Sequence, residues 1–398
     1  MHSTAGNAQL SGAVRIRAMG NDDGAALSDL SRQAFGVDAT DFRWRDGGRV
    51  LTVSGRVLGG LCVQYFGQVF GGRSVPAGGL AWAIVAPEAR GRGYGTVLSR
   101  QLIIELKDGG AAISTIHPVS FAMWRRFGYE ISAARSVYEA AIPDIRLGDE
   151  DVIELQPTPI DELDGVADCY RRVSESHAGL VDRSRSWWQE AVIPARGPQF
   201  LYVAAERHRV FAYVLYSQEP VGGDFEYQSI RCRELIWSER RGAASVMSFL
   251  AAHHPMTRTV SWPGPLDDPL GCFFDQGAVC LRSRIFCMTR LLDVAKALTA
   301  RGYPPGTDEE LSLAVVDPLF PDNNCSFRLR VANGVAEVGS MGSAAVRVGV
   351  GTLAALYTGW LHPWDAARMG YLDGASPRQL AALARLFSGP KPWLVEAV

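Results

Sequence analysis

The sequence predicts an α/β (α+β) chain built of more than one domain, and three observations carry that expectation. Apolar runs rich in β-branched residues alternate with amphipathic stretches of helical spacing. At 398 residues the chain exceeds what one hydrophobic core supports, so two to three domains are expected. Beyond a polar stretch at Ile142–Asp151 the order of elements from the first third recurs, at a unit length that suits a duplicated domain and not a solenoid.

Composition narrows the classes. Hydrophobic residues at 47% and charged residues at 21% fit a globular protein and exclude wholesale disorder. With Lys+Arg 40 against Asp+Glu 42 the net charge is -2, so no overall field draws nucleic acid or an anionic membrane. Apolar runs such as Leu80–Val85 fall far short of the ~18 residues that span a bilayer. Seven cysteines (Cys62, Cys169, Cys232, Cys272, Cys280, Cys287, Cys325) are scattered without CxxC spacing, which argues against a disulfide framework and a zinc site. No metal is expected. Residues 1–13 read as a disordered tail and not a signal peptide, so the expected compartment is the cytoplasm.

In order, Ala13–Arg17 reads as a strand and Asp22–Phe35 as a helix behind an Asn21-Asp22-Asp23 cap signal. Strands follow at Arg49–Val53, Val57–Phe66 and Ser74–Val85. A helix at Gly95–Lys107 carries Leu98, Leu102 and Leu106 as a stripe and stops at Asp108-Gly109-Gly110. Ala111–Ile116 is a buried strand, Ser120–Phe127 a short helix and Arg135–Ala140 a closing strand. The second copy has a helix at Ile160–Arg172, strands at Phe200–Glu206, Arg209–Tyr216 and Arg231–Trp237, and a helix at Ser245–His253. Past Cys287 come a helix at Leu291–Arg301 and strands at Leu311–Val316, Phe327–Val331, Val335–Val338 and Ala345–Val350. Asn333-Gly334 marks a hairpin. Helices at Leu353–Leu361 and Arg378–Phe387 precede an extended tail, Ser388–Val398.

The strongest chemical signal is Arg90-Gly91-Arg92-Gly93-Tyr94-Gly95, where an apolar strand ends and an amphipathic helix begins. Successive amides of a glycine-rich turn face one concavity, and the helix start adds partial positive charge. The three glycines let a diphosphate approach the backbone, while Arg90 and Arg92 add charge. The spacing is neither that of a P-loop nor that of a dinucleotide fingerprint.

This segment resembles the acyl-CoA motif of the GNAT N-acetyltransferases, Gln/Arg-x-x-Gly-x-Gly/Ala. Ser120–Tyr129 is similar to the same superfamily's second signature, a helix ending in Tyr-x-x-x-Gly-Phe. The whole chain resembles the enhanced intracellular survival (Eis) acetyltransferases. That resemblance implies tandem GNAT folds, the first active over 14–143 and the second degenerate over 150–286, then a sterol-carrier-protein-like α/β domain over 287–398. In the second copy Glu239 stands at the motif's first position, where a carboxylate repels phosphates.

The resemblance implies acetyl-CoA as cosubstrate, held by Ala83, Ile84, Val85, Arg90, Gly91, Arg92, Gly93, Tyr94, Gly95, Thr96, Ser120 and Trp124. It implies Tyr129 as general acid and the terminal carboxylate of Val398 as general base. Trp124 stands where many relatives carry an acid Tyr, and an indole N–H does not ionise in this range. A small-molecule amine is the expected acceptor: an aminoglycoside-like compound, a lysine or a biosynthetic intermediate. Its expected wall is Phe35, Asp38, Asp41, Trp44, His117 and Glu396, carboxylates and aromatics that suit an ammonium. Direct attack in a ternary complex and a hexameric assembly are implied too. The alternatives are a lapsed CoA-binding protein, or an acyltransferase using a longer acyl-CoA or an aminoacyl-tRNA.

Overall fold

The computed structural model describes residues 13–38, 42–193, 198–222 and 224–396. The first repeat runs β1 (Val14–Ala18), α1 (Gly24–Phe35), α2 (Phe42–Gly47), β2 (Gly48–Val53), β3 (Arg56–Phe70), β4 (Arg73–Val85), α3 (Tyr94–Asp108), β5 (Ile113–Ile116), α4 (Phe121–Arg125) and β6 (Glu130–Ala141). α3 forms because Leu98, Leu102 and Leu106 recur at every fourth position and bury one face against the sheet.

The second repeat runs β7 (Gln156–Pro157), α5 (Asp164–Glu175), β8 (Val181–Asp182) and α6 (Arg185–Trp187), which a π turn prolongs through Val192. There follow β9 (Phe200–Glu206), β10 (Arg209–Val221), β11 (Asp224–Trp237), α7 (Arg240–Ala251), β12 (Thr257–Gly264) and β13 (Cys280–Leu291). β4 and β5 pair in parallel, and so do β11 and β12, which is the duplication the element order predicts.

The two repeats share one sheet, in the order β1-β2-β3-β4-β5-β13-β6-β12-β11-β10-β9-β7, with β8 beside β3. Each repeat therefore closes with the other's last strand: β13 lies against β5, and β6 lies against β12. The boundary expected between residues 286 and 287 falls inside β13.

The third unit runs α8 (Val294–Ala300), β14 (Asp308–Val316), β15 (Ser326–Ala332), β16 (Val335–Met341), β17 (Val346–Gly349), α9 (Val350–Tyr357), α10 (Pro363–Arg368), β18 (Leu372–Asp373) and α11 (Pro377–Leu386). Its sheet order is β16-β15-β14-β17-β18, and Asn333 and Gly334 both take positive φ in the β15–β16 turn. Its core is continuous with Phe70, Val75 and Ala77 of the first repeat. A fully buried ion pair, Arg290–Asp317 at 2.6 Å, ties β13 to it. The tail then returns to the second repeat, burying Trp393, Leu394 and Val395 beside Tyr170, Trp188 and Tyr213. No described helix is long and apolar enough to cross a membrane.

Candidate active site

The site begins as a fork. β4 pairs with β5 only over Ala77–Gly79, opposite Ile113–Thr115, and from Leu80 onward it follows β3 alone. The cause is a bulge: Trp82 sits at φ 59, opposite a register shift between Gly60 and Cys62. The outer backbone edge of Ala83–Val85 is thereby left without a strand partner. Ile84 turns its side chain into the core while Ala83 stays exposed. Phe35 meets the bulge edge-on, 5.3 Å from Trp82 between ring centroids. Trp82 is a wall residue the sequence reading missed, since a positive φ at Trp leaves no mark in composition.

Above the fork a short turn at Pro87–Ala89 delivers the chain to Gly91 and Gly93, at φ 76 and 87. Only glycine adopts this left-handed region freely. A Cβ at either position would meet nothing within 4 Å, so the space in front of the turn is open. Gly93 begins α3 without a side-chain cap, and the first bond back to it comes from Val97 N–H at 3.1 Å. The amides of Tyr94, Gly95 and Thr96 therefore lack intrahelical acceptors. Arg90 and Arg92 are exposed, and Arg90 Nε donates to the Val85 carbonyl at 3.2 Å. These residues fit a diphosphate. Ser120 stands exposed at the start of α4, and Trp124 is buried against Tyr129.

The second copy offers no such turn. Ser238 and Glu239 lead straight into α7, and a Cβ on Gly242 would lie 2.7 Å from the Phe211 carbonyl oxygen. Its Arg240 and Arg241 are paired with Glu150 and Glu206. Where β11 and β12 part there is only a small cavity of about 30 Å³, lined by Trp393, Trp237 and Pro263, far too small for a coenzyme. Asp268 lines it, accepting from Trp262 Nε1 at 2.7 Å and from Leu270 N–H at 3.1 Å.

Burial pushes the Asp268 carboxyl up to about 6. A raised carboxyl means the folded state holds the proton more tightly, so this stabilisation is full below about pH 4 and lost as pH rises through about 6. Between about pH 4 and pH 7.5 the wild type is expected to lose about 2 kcal/mol relative to Asp268→Asn. Paired melting curves check this, and a constant difference in Tm would contradict it.

Below the fork, Tyr129 is only 1% exposed, and its hydroxyl donates to Ser114 Oγ at 2.7 Å. Burial pushes the phenol up to about 12. Ser114 pairs with Gly78, one residue short of where the strands part. On the opposite face, His117 Nε2 lies 3.0 Å from Cys287 Sγ. Beneath them runs a buried ladder: Ser132 donates to Thr289, Thr289 and Thr115 share a hydrogen bond, and Thr115 donates to Gln68. The sequence hides this ladder, because it depends on β13 reaching β5.

The expected acceptor wall does not assemble as one group. Trp44 is 1% exposed, in the core beside Leu27, so it faces no ligand. Asp38 is exposed and paired with Arg32. Glu396 is buried on Arg183, which it shares with Glu234. Asp41 and Val398 lie outside the described residues. Phe35 and His117 do border the fork. Among the described residues no three His, Cys, Asp or Glu side chains converge as a metal site.

Family comparison agrees with this architecture. An acetyltransferase (GNAT) domain matches residues 15–132, a second acetyltransferase (GNAT) domain matches 179–291, and a sterol carrier protein domain matches 294–395. An uncharacterized N-acetyltransferase of Streptomyces avermitilis is 26% identical over 406 residues, spanning 95% of this chain and 98% of that protein. The crystal structure of a GCN5-related N-acetyltransferase from Anabaena variabilis superposes with a TM-score of 0.90 at 26% identity, covering 97% of this chain and all of that one. Eis1 from Mycobacterium abscessus shares the fold, with a TM-score of 0.79 at 22% identity over 97% of this chain and 100% of its own.

Proposed function

Because the chain belongs to the GNAT N-acetyltransferases, as tandem domains closed by a sterol-carrier domain, we propose that it transfers an acetyl group from acetyl-CoA directly to a primary amine. The carrying observation is the uncapped start of α3 behind Gly91 and Gly93, at the mouth of the fork. Its amides hold the diphosphate, and the free edge at Ala83–Val85 receives pantetheine and offers an N–H to the thioester oxygen. Acetyl-CoA supplies the activated acyl group.

Cys287 stands at the fork, but burial pushes its thiol up to about 12. It is therefore an S–H partner of His117 and not a nucleophile, which supports direct attack. The acceptor ammonium must lose a proton first. We assign that task to the terminal carboxylate of Val398, whose tail is anchored two residues earlier by Arg183 and Glu396. The same reading includes the homo-oligomer and the cytoplasmic location, with light-scattering mass as the check on assembly.

For the departing thiolate, Tyr129 acts as acid through Ser114: the phenol donates to Ser114 Oγ, whose own proton passes on. A phenol at about 12 is a weak donor to a thiol near 8.5, so the gain is modest. Tyr129→Phe and Ser114→Ala are each expected to lower kcat about tenfold, with no further loss in the double variant. A change in Tm with kcat untouched would leave Tyr129 a core residue only.

The test is thiol release from acetyl-CoA across a panel of primary amines, including polyamines and aminoglycosides. Coenzyme uptake without thiol release on any amine would make this a binding protein whose chemistry has lapsed, a reading that Trp124 favours.

A further inference from the structure

Tyr129 reaches Ser114 across β13. Ser114 on β5 lies opposite Arg290, and Glu130 on β6 lies opposite Thr289, so Tyr129, one residue before Glu130, flanks Arg290 on the other side. Facing residues of a ladder project from the same face. The phenol that donates to Ser114 Oγ therefore passes beside the Arg290 side chain. Trp124 covers one edge of the phenol ring, 5.3 Å away between centroids, and the neighbouring Glu130 is paired with Arg125.

Arg290 is fully buried, and its ion pair has a direction. Nη2 donates to both oxygens of Asp317 at 2.6 Å, while Nε and Nη1 have no acceptor. Asp317 also accepts from Asn323 Nδ2 at 2.8 Å and from the amides of Leu319 and Phe320 at 2.8 and 3.1 Å. The negative end is thus engaged within the sterol-carrier domain. The unfilled N–H end abuts Gly128, at φ 80, where a Cβ would collide with Nη1 and with Val350 at the start of α9. Burial raises the Tyr129 phenol, and the bond to Ser114 and then the charge on Arg290 pull it back.

We propose that Arg290 is a positioning residue for the acid: held by Asp317 of the sterol-carrier domain, it stabilises the negative charge left on Tyr129 when Ser114 protonates the departing thiolate. This deepens the acetyltransferase reading and rests on it. One O–H bond breaks at Tyr129 and one forms at Ser114, whose former proton caps the sulfur. The phenolate regains a proton from solvent by the same route after the thiol leaves. The third domain then does more than scaffold the site: it orients the charge that lets a buried phenol act as an acid.

A difluorotyrosine at position 129, whose phenol ionises at milder pH than tyrosine, tests this by absorbance titration without coenzyme. Arg290→Gln combined with Asp317→Asn removes both charges and keeps an acceptor for the Leu319 and Phe320 amides. In that pair the phenol midpoint is expected to rise by about one pH unit. Asp317→Asn alone keeps the arginine and removes its counter-charge, so the midpoint is expected to fall even as Tm drops. A midpoint that stays put in the neutral pair, or fails to fall in Asp317→Asn, would overturn the assignment, and Asp317→Asn decides alone if the pair does not fold. On an amine that is acetylated, the neutral pair should lower kcat about three- to tenfold in the Tyr129 enzyme and leave it unchanged in Tyr129→Phe. Equal losses in both backgrounds would also overturn it. If no amine is acetylated, the acetyltransferase reading falls, and the titration still decides what Arg290 does to Tyr129.

Discussion

Gly93→Val is expected to weaken coenzyme A binding at least about a hundredfold while the protein stays folded. Gly93 sits at φ 87, where an L-residue carries about 1–2 kcal/mol of strain and a β-branched one more. A Cβ there meets no protein atom within 4 Å, so the fold itself has room for the side chain, and the expected loss comes from the strained turn and from methyls crowding the open space in front of it. Gly95→Ala makes the contrast. Its backbone is helical, and its Cβ would rest 3.5 Å from Val85 Cγ2, an ordinary contact. That variant is expected to bind within about threefold of wild type and to melt slightly higher. Calorimetry and melting curves on the same samples decide both. Similar losses in the two variants would mean that the turn acts by general disruption.

Arg183→Met is expected to destabilise the protein by about 3–5 kcal/mol and to release the tail. Arg183 is fully buried, 3.0 Å from Glu234 through Nη1, with its Nε on Glu396. Its Cζ lies 3.7 Å from the Tyr170 ring centroid and 4.4 Å from that of Trp188. Burial opposes its charge, and the two carboxylates more than offset that, raising its pKa. Tyr213 adds a hydrogen bond to Glu234 at 2.8 Å. Methionine would fill the volume but leave two buried carboxylates facing each other. Limited proteolysis should cut between Ser388 and Glu396 in the variant and not in wild type. Adding Glu234→Gln and Glu396→Gln should recover most of the stability, and no recovery would show that the pairing is not what holds the tail.

What could be read in the sequence was local. The cradle was legible because its glycines, its arginines and the Leu98–Leu102–Leu106 stripe lie within one turn and one helix. The Asn333-Gly334 hairpin was legible for the same reason. The strand exchange was not, because β13 reaches β5 across more than 160 residues and nothing local encodes that pairing. α2 spans six residues, too short to display a helical period, so Trp44 read as a loop aromatic and turned out to be core. Glu396 was noticed for its place near the terminus, but its partner Arg183 lies 213 residues away.

The most direct measurement is a crystal structure with coenzyme A. The account predicts diphosphate oxygens roughly 3 Å from the amides between Gly91 and Thr96, with the sulfur in the fork between Ala83 and His117. A coenzyme bound elsewhere, or one whose sulfur lies outside the fork, would contradict it.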